Sequence, residues 1–173
     1  MKSEYSPDGI EIAFEHRFNP IGTVFAGNTT ITNLGSLSQF AGLDSKFTFG
    51  SIVNCSGLRY IRLPEGMKTI LYSLSRHSTK STDVLTIDLP STLKTFEIYW
   101  FGADDAADTT IVLIVRAKDP PVYAQTLRVI CQAIYVPDDS VEAYQSAESW
   151  NVPSFQNRVK PASLIRPLSE FHP

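Results

Sequence analysis

Apolar and polar residues alternate in short stretches of this chain, and the stretches recur. Ile61 and Leu63 lie on either side of one polar residue, and Ile87 and Leu89 are arranged in the same way. Because successive side chains of a strand point to opposite faces, the two apolar residues of each stretch share one face. The pattern therefore predicts a series of short strands, each with one apolar face turned towards a core.

The two stretches fit one repeat, Ile-x-Leu-Pro-x-x-Φ-x-x-Φ, in which Φ is apolar, and further units follow them along the chain. Leu63, Leu89 and Val115 follow one another at intervals of 26 positions, and Val136 comes 21 positions later. A weaker early copy is expected at residues 30–34. One short strand cannot bury its apolar edge alone, so we expect the copies to stack as coils about 4.8 Å apart.

The second half of each copy carries another pair of apolar residues. We expect these pairs to turn inward on the opposite wall of the coil; they are Met67 and Ile70 in one copy, and Leu93 and Phe96 in the next. Four or five coils would then form a stack on the order of 20–25 Å long.

A family resemblance rests on residues 52–64, which read Ile-Val-Asn-Cys-Ser-Gly-Leu-Arg-Tyr-Ile-Arg-Leu-Pro. The segment resembles the BspA-type leucine-rich repeats of bacterial surface proteins, especially those of the Bacteroides group. Residues 134–144, with Trp150 beyond them, are similar to the way such arrays end, and the resemblance covers about residues 49–163. It implies a mainly β chain, a leucine-rich-repeat β-solenoid of about four to five coils with a short C-terminal capping helix.

The chain divides at the point where the repeat begins. Residues 1–45 do not match it, and we interpret them as an N-terminal cap or an anchoring or oligomerising segment. Residues 10–15 alternate as one amphipathic strand, which either closes the end of the solenoid or pairs with another chain. Residues 46–173 are predicted to be the solenoid with its C-terminal cap.

The predicted cap is a short helix over residues 139–149. Asp138 or Asp139 is expected to cap its first turn, because a side-chain oxygen can satisfy the free amides there. Val141 and Tyr144 share one helical face, which should lie over the last coil. Trp150 and Phe155 are then expected to seal the end of the stack.

Composition and charge exclude several function classes. The 173 residues are 43% apolar and 19% charged, with a formal net charge of −3. No basic stripe is present, so no nucleic-acid partner is expected. Apolar runs are too short for a membrane span, so no membrane insertion is expected. Acids and Pro7 stand where a signal peptide needs an apolar stretch, so none is predicted in this chain.

No catalytic constellation is visible in the sequence. His16, His77 and His172 are scattered, and two cysteines are too few for a disulfide framework or a zinc site. The sequence leaves undecided whether Cys55 and Cys131 form a single disulfide bond. Cys55 has no visible base, so we predict neither an enzyme nor a cofactor. Asp104, Asp105 and Asp108 lie close together, which suggests a solvated loop or, alternatively, a calcium site.

A surface remains as the candidate site. Strand alternation predicts a partner-facing ribbon that points away from the core, made of Tyr60, Arg62, Thr86, Asp88, Val112, Ile114 and Tyr135. Tyrosine and arginine are favoured in protein interfaces, and apolar residues outside a core usually mark a partner site or lie under another segment.

Two functions fit these expectations. The first is a non-catalytic protein-interaction or adhesion module at a bacterial cell surface, as the resemblance implies. The alternative is a virion structural protein of a Bacteroides-type phage, such as a fibre, head decoration or tail component. The partners would be other proteins, assembly neighbours or further copies of this chain in a homo-oligomer.

Overall fold

A computed structural model describes residues 3–5, 11–13, 33–36, 59–63, 65–71, 84–97, 110–123, 130–153 and 159–172. Most of the regular structure in them is β-strand, so the prediction of a mainly β chain is confirmed. The strands are β1 Ser3–Tyr5, β2 Glu11–Ala13, β3 Asn33–Ser36, β4 Tyr60–Arg62, β5 Thr69–Leu71, β6 Leu85–Leu89, β7 Thr95–Glu97, β8 Thr110–Val115, β9 Val122–Tyr123, β10 Ile130–Val136 and β11 Ile165–Pro167.

The largest sheet has six strands in the order β11-β10-β8-β6-β4-β3, and every pairing in it is parallel. The pairing follows the sequence repeat, since Ile61 lies beside Ile87 and Ile87 lies beside Leu113. Strand β3 begins at Asn33, pairs with β4 and overlaps the last two residues of the early copy expected at residues 30–34, whose first three residues lie outside the described residues. A separate antiparallel pair is formed by β1 and β2.

The inward face of this sheet is one continuous apolar row that crosses five strands. Its members are consecutive register partners and are between 0% and 8% exposed: Ile61, Ile87, Leu113, Ile134 and Ile165. Full burial of one such side chain contributes about 1.5–3 kcal/mol. The row is therefore a main source of the cohesion between successive strands.

The second sheet, in the order β5-β7-β9, is also parallel. Thr69 pairs with Thr95, which repeats the 26-residue interval on this sheet. Met67 and Leu93 lead into its first two strands and are buried in the same cluster as the apolar row. The prediction that Met67 and Leu93 turn inward is confirmed, whereas the structure describes only the backbone of Ile70 and Phe96.

The turns that follow β4 and β6 are also joined by hydrogen bonds. The Glu65 carboxylate accepts bonds from the Ser91 amide at 3.0 Å and the Ser91 hydroxyl at 2.8 Å. The Gly66 amide donates to Thr92 Oγ1 at 2.9 Å, and Gly66 has a positive φ of 94° that favours glycine. Polar contacts at the repeat interval thus add to the apolar register.

Helical turns follow β10, where the sequence predicted a helix. The 3-10 helix Asp138–Ser140 leads into α1, Val141–Ser146, and a further 3-10 helix spans Glu148–Asn151. Tyr144 and Trp150 are both 0% exposed. The Tyr144 hydroxyl donates to the Ala117 carbonyl, and Trp150 Nε1 donates to the Pro121 carbonyl, each at 2.7 Å.

Two details of the predicted C-terminal cap are wrong. Neither Asp138 nor Asp139 caps a helix, because their oxygens have partners elsewhere. Asp138 Oδ1 accepts from the Ser169 amide at 3.0 Å, and Asp139 Oδ2 accepts from Lys118 Nζ at 2.9 Å. The helix is also not the last layer of the sheet, since β11 adds one more parallel strand beyond β10.

Candidate functional site

The outward face of the six-stranded sheet is organised in two rows by the strand register. The first outer row consists of Tyr60, Thr86, Val112 and Ala133. The second outer row consists of Arg62, Asp88, Ile114, Tyr135 and Arg166. All seven residues of the ribbon predicted from the sequence lie in these rows, so strand alternation placed them on one face.

Exposure divides the predicted ribbon. Five of its residues are half-buried: Tyr60, Arg62, Thr86, Val112 and Tyr135. The other two, Asp88 and Ile114, are 0% and 1% exposed, so the expectation that they are accessible to a partner is wrong. A partner could touch the first five residues directly, whereas Asp88 and Ile114 act only through their neighbours.

Asp88 is buried because side chains from the two flanking strands close over its carboxylate. Arg116 Nε donates to Oδ1 at 2.7 Å, and Arg116 Nη2 donates to Oδ2 at 2.8 Å. The Tyr60 hydroxyl donates to Oδ2 at 2.7 Å. Arg62 Nε lies 3.8 Å from Oδ2, which is an ion pair but is too long for a hydrogen bond. A buried carboxylate with these partners is fully satisfied.

Ile114 is buried on the outer side of the sheet and does not belong to the main core cluster. Its register partners are Asp88 on one side and Tyr135 on the other. Tyr135 in turn packs edge-to-face against Phe171, with ring centroids 5.1 Å apart. Ile114 therefore lies in the row between a buried carboxylate and an aromatic pair, and its burial could not be predicted from alternation alone.

Two contributors to this face were missed by the sequence interpretation. Arg116 follows directly after β8 and continues the alternation of Val112 and Ile114. This alternation could have placed Arg116 on the outward face from the sequence alone, although the repeat pattern ended at Val115. Arg166 lies in Ile165–Pro167, whose order of isoleucine, arginine and proline echoes Ile61-Arg62-Leu63-Pro64 at shorter length.

The electrostatics of Tyr60 provide a test of this cluster. Burial, followed by the hydrogen bond to Asp88, raises the pKa of Tyr60 from 10.0 to about 12. Because the pKa of Tyr60 is higher in the folded than in the unfolded state, this difference adds to the free energy of unfolding below pH 10. The contribution is lost as the pH rises towards 12. We expect one tyrosine 13Cζ signal to titrate near pH 12 and to disappear in Tyr60→Phe. Titration of that signal at its ordinary pKa would contradict the hydrogen bond.

Most of the other residues singled out in the sequence are not covered by the structure. Asp104, Asp105, Asp108, Cys55, His16, His77 and Phe155 lie outside the described residues. Within them, no group of three or more His, Cys, Asp or Glu is arranged to hold a metal ion. Cys131 is a free, buried thiol whose pKa is raised to about 12 by burial, so little thiolate forms near neutral pH. His172 is exposed.

In the described part of the chain, no helix has the length and apolar character needed to cross a membrane. The chain matches no protein-family model, no curated protein and no solved structure. The outer face must therefore be interpreted from its own residues, which are an aromatic, apolar and arginine-bearing surface around one buried carboxylate.

Proposed function

We propose that this chain is a non-catalytic protein-interaction module that presents the two outer rows to a partner. In this proposal the parallel strands are coils of a leucine-rich-repeat β-solenoid of the BspA type. The 26-residue register on both sheets and the single apolar cluster that they share support that architecture. The repeat motif at residues 52–64 supports the family assignment.

The proposal rests on the residue composition of the accessible outer surface. Tyr60, Arg62 and Tyr135 are half-buried residues on one continuous face, with Val112 among them. Tyrosine and arginine dominate the binding energy of protein interfaces, because each offers a large contact area with a polar end. The pairing of strands fixes the backbone positions from which these side chains project, so the backbone need not become ordered on binding.

Site-specific photo-crosslinking tests the proposal. A benzoylphenylalanine placed at Thr86, in the first outer row, should form one dominant adduct in an extract of the source cells. The same group at Val122, which is 58% exposed on the second sheet, is the matched control and should not form that adduct. Excess unlabelled protein should compete the Thr86 adduct away. Equal adducts from both positions, or none from Thr86, would contradict the proposal.

The proposed place of action is a bacterial cell surface, where the module would serve adhesion without a cofactor. Mass spectrometry of washed envelopes and of purified phage particles separates this from the alternative. Recovery with the envelopes supports the adhesion module. Recovery at fixed stoichiometry in particles would replace it with the virion structural protein. An adduct between two copies of the chain would identify the partner as a homo-oligomer neighbour.

A further inference from the structure

Arginine is concentrated in the described part of the outer face, although the chain as a whole is acidic. The chain carries a formal net charge of −3. Among the described residues of the two outer rows, with Arg116 beside them, three arginines, Arg62, Arg116 and Arg166, stand with one acid, Asp88. These four side chains together carry two net positive charges. A surface of this sign attracts an acidic partner and repels a basic one.

The guanidinium groups beside Asp88 retain donors that the fold does not use. An arginine has five N–H donors, and Arg116 gives two of its donors to Asp88. Arg62 is held by an ion pair of 3.8 Å with Asp88, which lies beyond hydrogen-bond distance. The side chains of Arg62 and Arg116 are 38% and 33% exposed, so a partner can reach both.

The burial of Asp88 decides which charged groups of this cluster are accessible. Asp88 is 0% exposed, so a partner meets the two guanidinium groups and not the carboxylate that holds them. The two hydrogen bonds from Arg116 fix the plane of its guanidinium group before any ligand arrives. Asp88 occupies the edge formed by Nε and Nη2, and the remaining N–H donors of Arg116 on Nη1 and Nη2 lie in the same fixed plane. Donors held in that plane can bind a carboxylate oxygen without first being ordered.

We propose that the partner docks on this face through an acidic protein segment, whose carboxylates bind Arg62 and the free donors of Arg116. The inference rests on the proposed interaction function and names the chemistry of its ligand. A protein carboxylate fits better than a nucleic-acid backbone, because Val112 and Tyr135 flank the arginines with apolar and aromatic surface. Two net charges are also few for a phosphate backbone, whose binding grows with each cation that contacts it.

The test uses the full chain with 15N-labelled arginine and hexaglutamate as the probe. The Nε–Hε signals of Arg62 and Arg116 should shift saturably with hexaglutamate, and hexaserine should leave them unchanged. Arg62→Met should weaken the apparent Kd about fivefold, as expected for loss of one charge-assisted contact at a partly exposed site. The matched control, Lys94→Met, removes the same charge beside β7 on the second sheet and should change the Kd less than twofold.

Three outcomes would overturn the inference. They are an absence of saturable shifts, an equal effect of Lys94→Met, and tighter binding of a thymidine oligomer than of hexaglutamate at the same arginines. The crosslinking experiment at Thr86 is independent of these results. A Thr86 adduct without hexaglutamate binding would refute the acidic ligand alone, whereas loss of the adduct as well would refute the interaction function.

Discussion

Replacing Arg116 with methionine is expected to lower the free energy of unfolding by about 3 kcal/mol, because removal of one partner strands a buried charge. Asp88 is 0% exposed and would lose both of its hydrogen bonds to Arg116 while keeping the bond from Tyr60. Methionine preserves most of the apolar stem of arginine, so the loss reports on the guanidinium group. Urea denaturation followed by circular dichroism measures the difference.

The matched control is Arg62→Met, which removes the second guanidinium group near the same carboxylate. Among the residues that the structure describes, the Arg62 side chain makes the 3.8 Å ion pair and no hydrogen bond, and it is 38% exposed, so its removal should cost about 0–1 kcal/mol. The triple variant Tyr60→Phe, Asp88→Leu, Arg116→Met removes every hydrogen-bonding member of the cluster together. It should regain stability to within about 1 kcal/mol of the parent, since apolar residues often replace a buried ion pair at little cost. Equal losses for the two single arginine variants would show that Asp88 is not held as described.

Trp150→Ala is expected to lower the free energy of unfolding by about 3–5 kcal/mol, the range for deletion of a large buried aromatic side chain. Trp150 is 0% exposed, and its indole packs against Tyr144 with ring centroids 5.0 Å apart and against Tyr123 at 5.5 Å. The substitution also leaves the Pro121 carbonyl without its indole donor. Thermal and urea denaturation both measure the loss.

Val152→Ala provides the control for the C-terminal cap. Val152 lies two residues beyond Trp150 but is 55% exposed, so its truncation should change stability by less than about 0.5 kcal/mol. Trp150→Phe should fall between the two, because it keeps an aromatic ring but not the indole donor. A Trp150→Ala loss as small as that of Val152→Ala would mean that the cap does not close the core.

The inward faces of the strands could be predicted from sequence, whereas the accessibility of the outer face could not. Ile61, Ile87 and Leu113 are placed by a pattern that each short segment carries by itself. The burial of Asp88 depends on Arg116 and Tyr60, each 28 positions away, and neither contact follows from local alternation. Exposure on a sheet is a property of neighbouring strands, and only the register shows which side chains meet.

The C-terminal end shows the same limit. The helix around Tyr144 followed from local signals, but its expected caps did not form, since Asp138 and Asp139 bind residues elsewhere in the chain. The strand Ile165–Pro167 was missed because it has only 3 residues and ends in proline, too short for a periodic pattern. Its pairing with β10 spans 31 positions, outside the repeat interval that identified the other strands.

Interstrand NOEs in an isotope-labelled sample test the central claim most directly, because both the apolar row and the outer rows depend on parallel pairing at the repeat interval. We expect contacts between Thr86 and Val112 and between Ile87 and Leu113, in the pattern of parallel strands. Contacts of these residues at another register, or in an antiparallel pattern, would contradict the stacked repeat and the arrangement of the two outer rows.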